Sequence, residues 1–213
     1  MSRWYTADLH FGHRNIIVYS GRPDTDVAAM NERIVTACND WVGAHQTLYN
    51  LGDVALGKLD DSLTHVARIV ATQHLIAGNH DRCWGGHRKQ QRASNARQRY
   101  LDAGFATIAD ADEQHIAGRP VMLSHLPYRG DHDDERYAEQ RPVDQGQWLI
   151  CGHVHEKWLQ RGRQINVGID IWQRPVHEDE IAQLIAAGPA DRDTVNDLGR
   201  DFVAVVPHGV LRS

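Results

Sequence analysis

Five short blocks of this sequence carry side chains able to hold a cation: Asp8-Leu9-His10, Gly52-Asp53, Gly78-Asn79-His80-Asp81, Ser124-His125 and Gly152-His153-Val154-His155. Each follows an apolar run that reads as a strand, and open α/β sheets build sites at the carboxyl ends of their strands. Imidazole nitrogen with carboxylate and amide oxygen, and no thiolate, suits manganese, iron, zinc or nickel better than a soft metal. The seven candidate donors, Asp8, His10, Asp53, Asn79, His125, His153 and His155, are too many for one tetrahedral ion. They suit two ions sharing a carboxylate, which sit about 3.5–4 Å apart and clamp both oxygens of a displacement at phosphorus. Two divalent ions bring about +4, and two aspartates with a hydroxide remove about 3, leaving a cationic spot suited to a phosphate ester. Glycines directly before Asp53, Asn79 and His153 allow sharp turns and close approach to a ligand. Singly, each block is an ordinary turn; the ordered set of five points to metal.

The elements that must position these blocks are legible in part. Arg3 to Asp8 reads as a short buried strand ending at a carboxylate, Thr47 to Leu51 as a second and His74 to Ala77 as a third. Val27, Met30, Ile34, Ala37 and Trp41 recur at helical spacing across Thr25 to Ala44, with Thr25 or Asp26 as N-cap. Leu59 to Ala71 is predicted as a helix with Leu63, Val66, Ile69 and Val70 inward, and His87 to Asp102 as an exposed one. This strand–helix alternation favours a largely parallel layer covered by helices. A hairpin turning at Gly118-Arg119, strands at Gln147 to Cys151 and Gln164 to Gly168, and a helix over His177 to Ala187 follow. Tyr128 to Gly146 has no apolar period and reads as a long charged loop.

The totals describe an ordinary globular protein: 213 residues, 41% hydrophobic and 24% charged, with a formal net charge of −5 that argues against a dedicated duplex-DNA binder. Cys38, Cys83 and Cys151 are too few and scattered for a disulfide framework, so reduced thiols and a cytoplasmic location are expected. No apolar run approaches the roughly 18 residues of a membrane helix. The start, MSRWYTADLH, lacks the basic-then-apolar order of a secretory leader. Fourteen histidines are the anomaly and point to metal, proton transfer or both.

Taken together, the ordered blocks DLH, GD, GNHD, SH and GHVH resemble the calcineurin-like metallophosphoesterase superfamily. The segments DLHFGHRNII and NVGIDIW are similar to a small bacterial and phage branch of it. The resemblance implies an α/β fold of two packed mixed β-sheets flanked by helices, a four-layer α/β/β/α sandwich. It implies one domain over residues 1–188, with 189–213 as a C-terminal extension packed on it. Residue by residue, it assigns Asp8, His10 and His155 to a first metal, and Asn79, His125 and His153 to a second, with Asp53 bridging. His80 would meet the phosphate and assist the leaving oxygen, Asp81 would orient His80, and a hydroxide bridging the two ions would attack. The cofactors implied are two divalent ions, manganese favoured over iron, zinc or nickel.

Other residues stay open. His13 and Asn15 could reach the phosphate or be loop residues, and Tyr128, Arg129 and Tyr137 could hold a base or phosphate or simply be solvated. His87, His115, His132 and His177 read as surface or structural, Cys83 as an inert thiol, and Arg88 to Arg99 as a wet helix face. The leading functional expectation is a binuclear metal phosphodiesterase acting on a small, perhaps cyclic, nucleotide. A phosphomonoesterase, a nuclease or a dinucleotide polyphosphate hydrolase are the alternatives, ahead of a non-catalytic metal-binding scaffold. The expected partner is thus a small phosphoester, with no membrane; the acidic run Asp131 to Glu135 argues against extended nucleic acid near the site.

Overall fold

The chain was analysed as a computed structural model that describes residues 2–88, 90–131 and 136–207. It is a mixed α/β protein of two packed mixed sheets flanked by helices. Its first half lays down β1 (Arg3–Thr6), a single-turn α1 (Ile16–Tyr19), α2 (Val27–Trp41), β2 (Thr47–Asn50), α3 (Leu59–Val66), β3 (Thr72–Ile76), α4 (Gln90–Asp102) and β4 (Phe105–Ala109). Strands β1 to β4 pair parallel in sequence order. Period-two alternation decides which side chain faces which layer. Trp4, Leu48 and Leu75 face the helices, whereas Tyr5, Tyr49 and Ile76 face the second sheet.

That second sheet comes from β5 (Ala111–Ile116), β6 (Arg119–Ser124), β7 (Trp148–Cys151), β8 (Gln160–Gly162) and β9 (Gln164–Asn166). A short α5 (Ile169–Trp172), β10 (Val176–His177), α6 (Glu178–Ala187) and β11 (Ala190–Arg192) complete the strands and α-helices among the described residues. The first sheet runs β10-β1-β2-β3-β4 and the second β11-β8-β9-β7-β6-β5. Between them a core gathers Tyr5, Leu51 and Ile76 with Leu123, Ile150 and Ile165. Leu198 and Phe202, beyond β11, pack against the same core. No helix among the described residues is long and apolar enough to cross a membrane.

Helix α2 starts where Asp26 caps it, its carboxylate accepting from Ala29 N–H at 2.9 Å, and Met30, Ile34 and Cys38 are buried beneath it. Helix α3 is shorter than its apolar spacing suggests: it stops at Val66, and Val70, expected inward, is 52% exposed. Polar α4 docks through small and aromatic residues, Ala93, Ala96 and Tyr100, on the outer face of the first sheet. The β5–β6 hairpin turns at Ala117-Gly118, one residue earlier than expected, both residues having positive φ of 51° and 73°. That is the backbone a two-residue hairpin turn requires. His177 serves as N-cap of α6, accepting from Asp179 N–H, and His115 is exposed on β5. His132 and the rest of the acidic run after Asp131, residues 132–135, lie outside the described residues, as do residues 208–213.

Candidate metal centre

All seven candidate donors follow the carboxyl ends of β1, β2, β3, β6 and β7, and the loops they occupy are laced together by their own backbones. Asp8 N–H donates to Gly52 O at 3.0 Å and His10 N–H to Asp53 O at 2.9 Å, which locks the turn after β1 onto the turn after β2. His153 N–H reaches both oxygens of Asp8, at 3.1 and 2.9 Å, tying in the turn after β7. Asp81 fastens the third turn. Its buried carboxylate accepts from the N–H groups of Asp53 (2.8 Å), Val54 (3.1 Å) and Gly78 (2.8 Å).

Glycine is required where these turns touch. A Cβ on Gly78 would fall 2.3 Å from Asp53 Oδ1 and 2.6 Å from Asp53 N, and one on Gly152 would fall 2.5 Å from the Ala7 Cβ. The donors themselves bear unusual backbone. Asp8, His10, Asp53, His153 and His155 have φ between 50° and 72°, and they are five of the eight non-glycine residues with positive φ among those described. Such conformations cost energy and persist only where the surroundings over-determine them.

Two groups result. Asp8, His10 and His155 bring one ligand atom each within 4.8 Å of one another, and so do Asp53, His125 and His153. Asp53 sits between the groups, with Oδ2 3.3 Å from His125 Nε2 and 3.9 Å from His10 Nε2. Asn79 Oδ1 joins the second group, 3.1 Å from His125 Nε2. The fit to a cation rests on His10. Both of its ring nitrogens are buried and have no hydrogen-bond partner among the described residues, a costly state for an imidazole unless something else occupies a lone pair. The donor set of nitrogen and hard oxygen, without sulfur, supports a divalent ion, and the residues fit one at each group.

Buttresses behind these donors were not visible in the sequence. His155 Nδ1 donates to Asp170 Oδ2 at 2.8 Å, which leaves Nε2 as the metal-facing nitrogen. Asp170 is held in turn by Arg22, whose Nε lies 2.7 Å from Oδ1, and whose Nη atoms donate to the carbonyls of Asp8 (2.6 Å) and Leu9 (3.0 Å). On the second group, His153 Nε2 meets Asp131 Oδ2 at 2.9 Å, and Asp131 pairs with Arg141 at 2.5 Å. Asp131, which reads from sequence as part of a solvated acidic run, is buried. Arg22 and Asp170 are 148 positions apart, so no local pattern links them.

Electrostatics follow from packing so many charges out of water. Burial raises the Asp8 carboxyl to about 6, the partial positive charge of His155 and His125 working against it. Burial also opposes ionisation of Asp53, but His125, by charge and hydrogen bond, outweighs it and holds Asp53 far below the usual range. Reciprocally, burial disfavours a charged His125, yet Asp53 lifts it to about 9. Burial lowers His153 to about 3, helped by His125, and lowers His10 well below the ordinary imidazole value. Asp170 opposes its own burial through His155 and Arg22 and falls to about 2.

The remaining expected residues divide. The His80 side chain is 46% exposed at the rim, its ring Nε2 3.9 Å from Asp53 Oδ2 and its backbone N–H donating to Asp53 Oδ1 at 2.8 Å. Asp81 does not orient it. The carboxylate is occupied by backbone amides and the Tyr100 hydroxyl, and no hydrogen bond joins it to the His80 ring among the described residues. His13 reaches the site, its ring 5.5 Å from that of His10 and its buried Nδ1 without a hydrogen-bond partner among the described residues. Asn15 is exposed beside α1. Tyr128 packs against Leu149, Cys151, Val154 and Trp158 on the outer face of the second sheet, and Arg129 is exposed next to it. Of the three loop residues, Tyr137 approaches the donors: its hydroxyl accepts from Asn79 Nδ2 at 3.4 Å and its ring lies 6.0 Å from that of His153. The Cys83 thiol is buried and pushed up by that burial, as an inert thiol would be.

No protein-family model matches the sequence. The Gene 66 protein of Mycobacterium phage L5 is 34% identical over 197 residues, spanning 85% of this chain and 93% of the phage protein. The chain belongs to the Gene 66 protein family. A second Gene 66 protein, from Mycobacterium phage D29, is 31% identical and is covered over 94% of its length, against 85% of this chain. Among solved structures, this Gene 66 relative is similar to AQ665 from Aquifex aeolicus, a protein of unknown function. The two are 26% identical, with a TM-score of 0.62 and coverage of 86% of this chain and 98% of that one.

Proposed function

We propose that this protein is a phosphoesterase that works with two divalent ions, and that it cleaves phosphodiesters of small nucleotides. The observation that carries the reading is the pair of donor groups meeting at Asp53, with the half-exposed ring of His80 beside them. Asp8, His10 and His155 would hold one ion, Asn79, His125 and His153 the other, and Asp53 would touch both. Bound there, two ions would supply Lewis acidity at a phosphoryl oxygen and lower the pKa of a coordinated water. Manganese is the ion we favour, ahead of iron, zinc or nickel, for this mixture of imidazole and hard oxygen.

The chain's own groups do the rest. Asp170 and Asp131 fix the ring orientations of His155 and His153, so the donors are arranged before a substrate arrives. In this reading His80, beside Asp53, would meet the phosphate and assist its leaving oxygen; burial holds the ring below its ordinary pKa, which supports a neutral ring that donates N–H. Resemblance of the blocks to calcineurin-like metallophosphoesterases supports the same assignment. The test is a rate comparison: manganese-loaded protein should hydrolyse bis(4-nitrophenyl) phosphate faster than 4-nitrophenyl phosphate. A reversed order would replace the diesterase reading with a monoesterase one, and no turnover of either would end it.

A further inference from the structure

Away from the donor groups, the protein gathers four arginines around one cavity. A cavity of about 750 Å³ opens between the loop after His80 and helix α4, lined by Arg82, Arg88, Arg92 and Arg99 over a floor of Ala93 and Ala96. No carboxylate is among its described lining residues. Arg99 reaches out to Asp60, but among the described residues no ion pair or side-chain hydrogen bond engages Arg82, Arg88 or Arg92. Arginines that the fold buries are paired, Arg22 with Asp170 and Arg174 with Glu180, so the cavity arginines belong to the solvent-facing set whose charge is open to a ligand. With a net charge of −5, carboxylates are not scarce. Gathering guanidinium groups without partners raises self-repulsion, and a concave wall of one sign focuses the field on an incoming anion.

One wall of the cavity is the loop that leaves the metal centre after His80. Only Asp81 separates His80 from Arg82 in the chain, and the Tyr100 hydroxyl accepts from Arg82 N–H at 3.0 Å while lying 3.4 Å from Asp81 Oδ1. The ring of His87 bonds the Asp81 carbonyl at 2.9 Å, curling the loop so that Arg88 returns towards α4. Asp81 in turn carries the amides of Asp53 and Val54. Hydrogen bonds through Asp81, Tyr100 and His87 thus link the loop that carries Arg82 and Arg88 to the donor groups.

We propose that this cavity binds a second phosphate of the substrate while the first lies at the metal centre. The assignment rests on the phosphoesterase reading above. The guanidinium fork matches phosphate oxygens in charge and geometry, which ammonium does not. The cavity volume exceeds a single phosphate and admits a short run of them. A nucleoside triphosphate and a single-stranded oligonucleotide present the same chemistry to such a wall, whereas an aryl diester has nothing to place there.

The test uses the manganese-loaded protein and the double variant Arg88→Gln/Arg92→Gln, both positions being exposed, outside the donor groups and without side-chain partners among the described residues. Inorganic tripolyphosphate binding, read by calorimetry, should weaken at least tenfold in the variant. Hydrolysis of bis(4-nitrophenyl) phosphate should stay within twofold of wild type. Cleavage of a nucleoside triphosphate or of a short single-stranded DNA should lose at least tenfold in kcat/KM, chiefly through KM, and the substrate that loses names the source of the phosphates. Unchanged tripolyphosphate binding overturns the proposal, as does equal loss on the aryl diester and the phosphate-rich substrates. Failure of the wild type to cleave any ester would sink the phosphoesterase reading instead, and the tripolyphosphate comparison would still judge the cavity.

Discussion

Replacing Asp170 with asparagine removes one negative charge from a place almost without water: the side chains of Asp170 and Arg22 are 3% and 1% exposed. Asp170 Oδ1 accepts from Arg22 Nε at 2.7 Å, and Oδ2 accepts from Arg22 Nη2 at 3.1 Å and His155 Nδ1 at 2.8 Å. Asparagine can present an oxygen on one side only, so in either flip its amide N–H group faces a donor that was satisfied before. Breaking a buried ion pair by removing one partner costs about 3–5 kcal/mol. Arg22 keeps its bonds to the carbonyls of Asp8 and Leu9, which places the expected loss at the lower end, about 3 kcal/mol. At about 2–4 °C per kcal/mol for a chain of this length, the metal-free variant should melt about 6–12 °C lower. Affinity for the ion held by Asp8, His10 and His155 should fall about 10- to 100-fold, because His155 loses its anchor. A companion variant separates the two effects. Asp170→Leu with Arg22→Met removes both charges, so much of the stability should return while metal affinity stays low. Urea unfolding of the metal-free proteins and a manganese titration read both quantities. Asp170→Asn within about 0.5 kcal/mol of wild type, a size ordinary for surface substitutions, would refute the energetic argument. Full metal affinity in the double variant would refute the orienting role of Asp170.

Further outcomes follow from the same geometry. His80→Ala should retain both ions by elemental analysis and lose about 10²- to 10⁴-fold in turnover; loss of metal would move His80 into the donor set. Gly78→Ala drives a Cβ to 2.3 Å from Asp53 Oδ1, so metal content should fall at both groups together, and a variant with one ion intact would show that Asp53 is not shared. In the metal-free protein the folded-state pKa of Asp170 is depressed from 3.8 to about 2, so its stabilising contribution is complete above pH 3.8 and disappears as pH falls through 2. Urea midpoints between pH 5 and pH 2 should therefore drop more steeply for wild type than for Asp170→Asn, and parallel curves would contradict the shift.

The sequence revealed the donors because each sits within a residue or two of an apolar run, so strand and ligand are read from one short stretch. The helices with a clear apolar spacing, such as α2 with Met30 and Ile34, were legible for the same local reason, although Cys38 is buried where Ala37 was expected inward. What escaped depends on partners far apart or on elements too short to show a period. β8, β10 and β11 have three, two and three residues, and their pairing is what defines them. Strand β4, FATIA, alternates weakly and becomes a strand by lying beside β3. Asp131 resembles its acidic neighbours in composition, and only the fold brings it against His153 and Arg141. Asp81 does not meet the His80 ring that the resemblance gives it, because its side chain turns back to backbone amides of distant turns that no local pattern reveals.

The left-handed backbone at Asp8, His10, Asp53, His153 and His155 has a consequence for which residues the site can accept. Aspartate, asparagine and histidine are the side chains, apart from glycine, that most readily enter that conformation. They are also able metal donors. Glutamate and cysteine can ligate ions too, but they lack that conformational tolerance. The donor alphabet is therefore filtered twice, once by coordination chemistry and once by φ. Exchanging Asp53 for glutamate would conserve charge and donor atom yet fail on backbone grounds. A search for distant relatives, or a redesign of the metal preference, should vary these positions only among Asp, Asn and His.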